Sequence, residues 1–347
     1  MKRQENNPLR CSVISLVLIL LVGLIAVSNA EASQLRTATS IVDLNGDGMS
    51  DMMLFDSENA TWFSYDFFQG VTNQFRFGSP GNRQVIGDYD GDGISDFAVT
   101  YDNTYTGQKM WHLELSGKAS EISEGAEARE DFAWGQNSDV PVPADYDGDG
   151  RTDIATFSPL TGIWSIFLSR SMTERVDLLG IGSDHLVPAD YDGDGKADVA
   201  VMRTEDSTWY IHYSKNDSLG VIPWDAKVTT DDVMVPADYD GDGLSDMAMY
   251  RVSSGYWIIL ESVSGNFRSA QFGGGVYSGD STESESLEEN ADLPMPGDFD
   301  GDGILDIAVW NSKSKLAHVL PSQSSMMTSM PVGTDSSKPV SLSVCLR

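Results

Sequence analysis

One nine-residue pattern, Asp-x-Asp-Gly-Asp-Gly-x-x-Asp, occurs six times, beginning at Asp43, Asp88, Asp145, Asp190, Asp238 and Asp298. The copies read DLNGDGMSD, DYDGDGISD, DYDGDGRTD, DYDGDGKAD, DYDGDGLSD and DFDGDGILD, and only the first departs at a ligand position, with Asn45. Carboxylates packed this densely repel one another in a compact turn unless protonation or a cation removes the charge. A divalent cation is the natural solution, and a flexible loop offering only oxygen suits calcium better than the strict octahedron of magnesium. In the second copy the expected ligands are the carboxylates of Asp88, Asp90, Asp92 and Asp96 and the Ile94 carbonyl. The same places are filled by Asp43, Asn45, Asp47, Met49 and Asp51 in the first copy and by Asp145, Asp147, Asp149, Arg151 and Asp153 in the third. They are Asp190, Asp192, Asp194, Lys196 and Asp198 in the fourth, Asp238, Asp240, Asp242, Leu244 and Asp246 in the fifth, and Asp298, Asp300, Asp302, Ile304 and Asp306 in the sixth. Up to six calcium ions are expected, and glycines such as Gly91 and Gly93 permit the left-handed backbone that turns the oxygens inward.

An EF-hand loop opens in the same way but needs a bidentate Glu at its twelfth position and flanking helices. Here the twelfth residue is Leu54, Val99, Thr156, Val201, Met249 or Val309. The ninth Asp must complete the cage, which places the loop in a β-hairpin.

The spacers between the loops repeat as well. Each final Asp is followed by a short apolar stretch (MMLF, FAVTY, IATF, VAVM, MAMY, IAVW) with the length and branched or aromatic content of a strand. Trp62, Trp164, Trp209 and Trp257 follow eleven residues after that Asp and open a second strand; Trp111 comes at fifteen, and the sixth copy has Ala317 there. A third strand ends near an aromatic and a turn, and a fourth runs into the next Asp motif, as in VPVPAD and LPMPGD. Successive motifs start 45, 57, 45, 48 and 60 residues apart, a period of arrays and propeller blades rather than of the two domains that 347 residues would otherwise suggest. The expected fold is an all-β propeller of four-stranded blades, six by the repeat count, with a seventh built from the two termini as the alternative. Acidic insertions near 118–131 and 278–290 account for the two long spacings. The tail PVGTDSSKPVSLSV is expected to close the ring against a strand around Thr39 to Val42.

These motifs identify a resemblance. Stretches such as VPADYDGDGKADVAVMR followed by TWYIHYS are similar to FG-GAP or VCBS repeats, the family that includes the integrin α-chain propeller. The resemblance extends from about residue 37 to the end and implies a β-propeller with calcium in its blade hairpins. Asn45, Leu44 in place of the usual aromatic, and Ala317 in place of Trp depart from the family pattern. They bear on the first calcium site and on the packing of the sixth blade.

Lys2, Arg3 and Arg10 precede an apolar run from Val13 to Val27 that ends in Ser28-Asn29-Ala30. Residues 1–30 are therefore expected to be a secretory signal peptide cleaved after Ala30, Ala32 being the alternative, with 31–347 a single propeller. The mature chain is expected to be secreted, periplasmic or on the cell surface, and monomeric. Cys11 would leave with the signal and only Cys345 would remain, so no internal disulfide is expected. The 22 Lys and Arg stand against 53 Asp and Glu, a net charge of −31, which argues against nucleic acid and anionic membranes as partners. Forty per cent hydrophobic residues and eight Trp argue against a disordered acidic chain.

No Gly-x-Ser-x-Gly elbow, HExxH or phosphate-binding glycine loop occurs, and His112, His185, His212 and His318 have no ligand spacing, so they read as ordinary strand residues. The repeated Trp read as blade packing, whereas Trp134 and Trp224 are candidates to stack on sugar rings in clefts between blades. The expected role is a binding or adhesion module for a glycan or an extracellular protein, with calcium structural. The alternative is a polysaccharide lyase or hydrolase whose site is assembled from distant loops.

Overall fold

Branched and aromatic residues in short runs, broken by glycine-rich turns, form strands throughout. The computed structural model describes residues 42–67, 70, 72–116, 129–274, 291–311, 313–324, 326–333 and 337–339, and no helix is among them. By its contacts the chain divides into Met1–Gln34 and Leu35–Arg347, and all described residues lie in the second unit. The expected signal peptide, Cys11, Cys345 and most of both acidic insertions lie outside the described residues. The end of the first insertion belongs to a strand that begins at Arg129.

Six four-stranded antiparallel sheets make the blades of a propeller. Blade 1 contains β1 (Met52–Asp56), β2 (Thr61–Tyr65) and β3 (Thr72–Arg76); blade 2 contains β4 (Arg83–Gln84), β5 (Phe97–Asp102), β6 (Gln108–Glu114) and β7 (Arg129–Gln136). Blade 3 is β8 (Val140–Pro141), β9 (Ile154–Ser158), β10 (Ile163–Leu168) and β11 (Thr173–Leu178), and blade 4 is β12 (His185–Leu186), β13 (Val199–Arg203), β14 (Thr208–Tyr213) and β15 (Ser218–Pro223). Blade 5 is β16 (Asp232–Met234), β17 (Met247–Arg251), β18 (Tyr256–Leu260) and β19 (Phe267–Gln271), and blade 6 is β20 (Asp292–Pro294), β21 (Ile307–Asn311), β22 (Leu316–Leu320) and β23 (Thr328–Pro331).

The last strand, β24 (Ser337–Pro339), returns to blade 1, giving the order β24-β1-β2-β3. Leu54 pairs with Pro339 and Phe55 with Lys338, the register that Thr156 and Phe157 of β9 make with Pro141 and Val140 of β8. The tail thus supplies blade 1 with the short strand that every other blade takes from the residues ahead of its Asp motif. Among the described residues the blades number six, and the C-terminal strand completes blade 1 instead of contributing to a seventh. Of the stretch expected to receive the tail, Val42 is described, and its carbonyl accepts from the Asp51 N–H at 2.5 Å.

The repeat is phased one strand away from the sequence expectation. Each short strand that enters an Asp motif pairs with the strand that leaves the same motif, β4 with β5 and β8 with β9, so the motif joins two strands of one blade. The cause is the tight return of the loop, which sets its flanks antiparallel through the bridges Gly87↔Asp96 and Ala144↔Asp153.

The core lies between blades. Buried apolar side chains of the described residues form six clusters, one at each junction, including one that joins Trp310, Val319 and Phe299 of blade 6 to Met52, Leu54 and Phe63 of blade 1. Trp62, Trp111, Trp164, Trp209 and Trp257 are fully buried. Four of their indoles donate to a carbonyl at the end of the next strand: Trp62 to Phe77, Trp111 to Trp134, Trp164 to Leu179 and Trp257 to Phe272.

Blade 6 is not degenerate. Its indole comes from Trp310 on β21, whose cross-strand partner is Ala317, and Trp310 Nε1 donates to the Val332 carbonyl at 3.0 Å. The large and small residues have exchanged strands, so the same volume is filled and the same bond made. Ala317→Trp should overfill the site and cost about 1–3 kcal/mol, and Trp310→Ala should cost about 3–5 kcal/mol. Combined, they should cost clearly less than their sum in urea unfolding; strict additivity would contradict the exchange.

Candidate metal centres

Each loop is built by its own carboxylates accepting from its own backbone. In all six, the first Asp accepts from both glycines: Asp88 Oδ1 from the Gly91 N–H at 2.6 Å and Oδ2 from the Gly93 N–H at 2.9 Å, with matching bonds to Asp43, Asp145, Asp190, Asp238 and Asp298. Gly91 and Gly93 have φ of 75° and 86°, as expected from their place in the motif. The fifth Asp accepts from the N–H of the seventh residue in every loop, for example Asp92 from Ile94 at 2.8 Å.

The ninth Asp is the most deeply buried member in five loops, and the first Asp is buried beside it in most of them. Asp96, Asp153, Asp198, Asp246 and Asp306 have no exposed surface, and Asp51 is 8% exposed. One oxygen of each accepts from the N–H of the second loop residue: Leu44, Tyr89, Tyr146, Tyr191, Tyr239 or Phe299. In five blades the other oxygen accepts from the N–H of a serine just beyond the third strand of the blade, Ser116, Ser169, Ser214, Ser262 or Ser322. Sequence reading missed this serine, although in four blades it stands at a constant sixteen residues after the ninth Asp. The Tyr at the second position is buried, and its hydroxyl donates to a carbonyl four residues back, Tyr146 to Val142 at 2.7 Å.

In five of the six loops three of the four sequence-assigned carboxylates come together; among the described residues the first loop forms no such group, and Asp92, Asp149, Asp198, Asp242 and Asp306 stand outside theirs. Oxygens of Asp88, Asp90 and Asp96, of Asp145, Asp147 and Asp153, and of Asp238, Asp240 and Asp246 lie within 4.8 Å of one another, as do those of Asp190, Asp192 and Asp194 and of Asp298, Asp300 and Asp302. In the first loop Asn45 Nδ2 donates to Asp66 Oδ2 at 2.8 Å, placing beside the loop a carboxylate that the motif does not contain. Burial raises the Asp51, Asp96, Asp153 and Asp306 carboxyls to about 7 and those of Asp198 and Asp246 to about 6. Neighbouring carboxylates push in the same direction. Asp147 Oδ1, Asp192 Oδ1 and Asp300 Oδ1 are buried and accept no hydrogen bond. A buried acceptor left in this state is costly, and an all-oxygen, carboxylate-rich donor set fits a hard divalent cation.

The loops also bond to one another. The N–H of the eighth residue donates to the carbonyl of the first Asp in the loop before it: Ser95 to Asp43, Thr152 to Asp88, Ala197 to Asp145, Ser245 to Asp190, Leu305 to Asp238, and Ser50 to Asp298, all at 2.6–2.9 Å.

A family model described as an FG-GAP-like repeat matches residues 88–156 and 190–249, which contain the second to fifth loops. The chain is an FG-GAP repeat β-propeller. The first and sixth loops of this FG-GAP propeller lie outside the matched segments but make the same glycine and second-residue bonds. No curated protein sequence matches the chain. Among solved structures, an Agrocybe aegerita lectin that recognises non-reducing terminal N-acetylglucosamine is 13% identical over 83% of this chain and 77% of its own, with a TM-score of 0.48. A Lactobacillus plantarum protein is 10% identical over 86% and 99% (TM-score 0.47), and TolB from Acinetobacter baumannii is 12% identical over 80% and 64% (TM-score 0.46).

The four histidines lie in strands, each with its own partner: His112 with Asp131, His185 with Thr204, His212 with Asp217 and His318 with Ser329. Trp224 is 5% exposed, its ring enclosed by Trp209 and Phe267, so it presents no face to a sugar. Trp134 is half-buried between Phe132 and Phe167, with Nε1 donating to the Ser165 carbonyl at 2.9 Å.

The raised ninth-Asp carboxyls set a pH dependence. Without cation, a folded carboxyl titrating near 6–7 against 3.8 holds its proton where the unfolded chain has lost it, so stability falls as pH rises from about 4 to about 7. Dialysed, metal-free protein should therefore melt higher at pH 5 than at pH 8. A melting temperature that climbs over that interval would contradict the assignment.

Proposed function

We propose that this propeller is an exported binding module whose six Asp loops hold structural calcium and whose blades present a surface to a glycan or an extracellular protein. The observation that carries the calcium reading is the set of buried third-place oxygens without a donor, on Asp147, Asp192 and Asp300, beside ninth Asp residues with no exposed surface. The carboxylates of each loop would hold the ion with the carbonyl of its seventh residue, and calcium would supply the positive charge that such crowding lacks. Two buried carboxylates outside the loops are engaged structurally: Arg203 forks onto Asp184 at 2.9 and 2.8 Å, and Arg251 onto Asp232 at 2.7 and 2.9 Å.

The binding reading is supported by the outer strands of blades 3 and 4. Val176 and Leu178 of β11 and Leu219 and Val221 of β15 are 53–71% exposed, where β3 and β7 expose Asn73, Gln74, Glu130 and Asp131. Trp134, at the junction of blades 2 and 3, offers a part-open indole near this side of the ring.

With free calcium at tenfold its dissociation constant, each occupied loop contributes about 1.4 kcal/mol. Chelation should thus lower the melting temperature at pH 7.5 by well over about 10 °C, and an unchanged melt would remove structural calcium. On a panel of glycans and extracellular proteins, the mature chain should bind a defined ligand in calcium and lose it in chelator. Trp134→Ala also removes packing against Phe132 and Phe167 and lowers the melting temperature, so it is compared below that temperature, where it should weaken the binding about fivefold to tenfold.

A further inference from the structure

The backbone bonds between loops join the candidate cages into a closed circuit. Ala197 donates to Asp145, and at the seam of the ring Ser50 donates to Asp298. The donor N–H belongs to the peptide unit whose carbonyl is that of the seventh loop residue, the expected main-chain ligand. The acceptor carbonyl belongs to the first Asp of the neighbouring loop, whose carboxylate is a ligand there. The same pairs of loops touch through side chains: a Cβ on Gly193 would lie 3.2 Å from Leu244, and one on Gly301 would lie 2.9 Å from Met49.

A peptide whose carbonyl is drawn toward positive charge becomes a stronger N–H donor, and chains of hydrogen bonds polarise one another. Filling one loop would therefore strengthen its bond to the first Asp of the loop before it and fix that Asp for its own ion. Electrostatics works the other way, because a filled loop is less negative and attracts the next cation less.

Resting on the calcium reading above, we propose that the six loops fill cooperatively, with the peptide between the seventh and eighth residues carrying the coupling from each loop to its neighbour. The ring then becomes rigid in one concerted step. A single coupling hydrogen bond corresponds to about a twofold to tenfold change in neighbouring affinity.

The test is a calcium titration of the metal-free mature chain, with uptake measured by equilibrium dialysis and protection of each loop by amide hydrogen exchange and mass spectrometry. The six loops should gain protection over one shared concentration range with a Hill coefficient above one. Asp192→Asn places in the fourth loop the residue that Asn45 provides in the first. It should raise the calcium midpoints of the third and fifth loops by about twofold to tenfold and that of the first loop, opposite in the ring, by less. Six separate midpoints, unmoved by Asp192→Asn or moved to lower calcium, would overturn the coupling and leave structural calcium standing. No calcium uptake in dialysis would overturn both.

Discussion

Crowding of carboxylates into each nine-residue loop is the constraint from which the architecture follows. The backbone absorbs part of it, because the first Asp takes the N–H groups of two glycines and the ninth takes the N–H of the second residue. Those bonds also fold the loop back on itself, which brings β4 beside β5 and β8 beside β9. An electrostatic problem in a turn thereby becomes the hinge of a blade.

Packing between blades is the second support, and it depends on the loops for its alignment. Each junction has its own apolar cluster, and most blades anchor an indole to a carbonyl of the next strand. The strand that leaves a loop serves two clusters at once: Val199 and Val201 of β13 pack with Leu186 and blade 3, whereas Ala200 and Met202 pack toward blade 5. A loop that lost its shape would disturb two junctions at once. The exchange of Trp310 and Ala317 shows that the core specifies a filled volume and a bonded indole rather than a residue at a fixed place in the repeat.

Much of this was legible in the sequence because the motif and its spacing repeat. The six loops, the strand after each ninth Asp and the packing role of the Trp all follow from local pattern. What failed depended on partners far along the chain. A short apolar strand such as Val140–Pro141 carries too few residues to declare whether it joins the blade before or after it. Ala317 looked like a loss because its compensating Trp310 stands in the adjacent strand, seven residues earlier by the repeat numbering but directly opposite in space. Ser169 and its equivalents did carry a residue-type signal, because beside the backbone N–H bond the hydroxyl donates to the fifth Asp in three loops, Ser116 to Asp92, Ser214 to Asp194 and Ser322 to Asp302, and to the Thr152 carbonyl in a fourth; the signal was hidden because the partner stands sixteen or more residues back along the chain. Trp224 was misjudged because an aromatic at a strand end reads the same whether its ring meets solvent or the neighbouring blade.

The pairing of β24 with β1 also governs when this molecule can be finished. Leu54 and Pro339 lie nearly the whole chain apart, yet their strands share a sheet. Pairings of such separation close late, since the entropy of the intervening loop must be overcome first. Blades 2 to 6 draw all four strands from contiguous sequence and can form as the chain emerges, whereas blade 1 waits with one edge of β1 unpaired until Ser337–Pro339 arrive. Until then the nascent chain is an open arc of blades, and its C-terminal strand is the latch that makes it a ring.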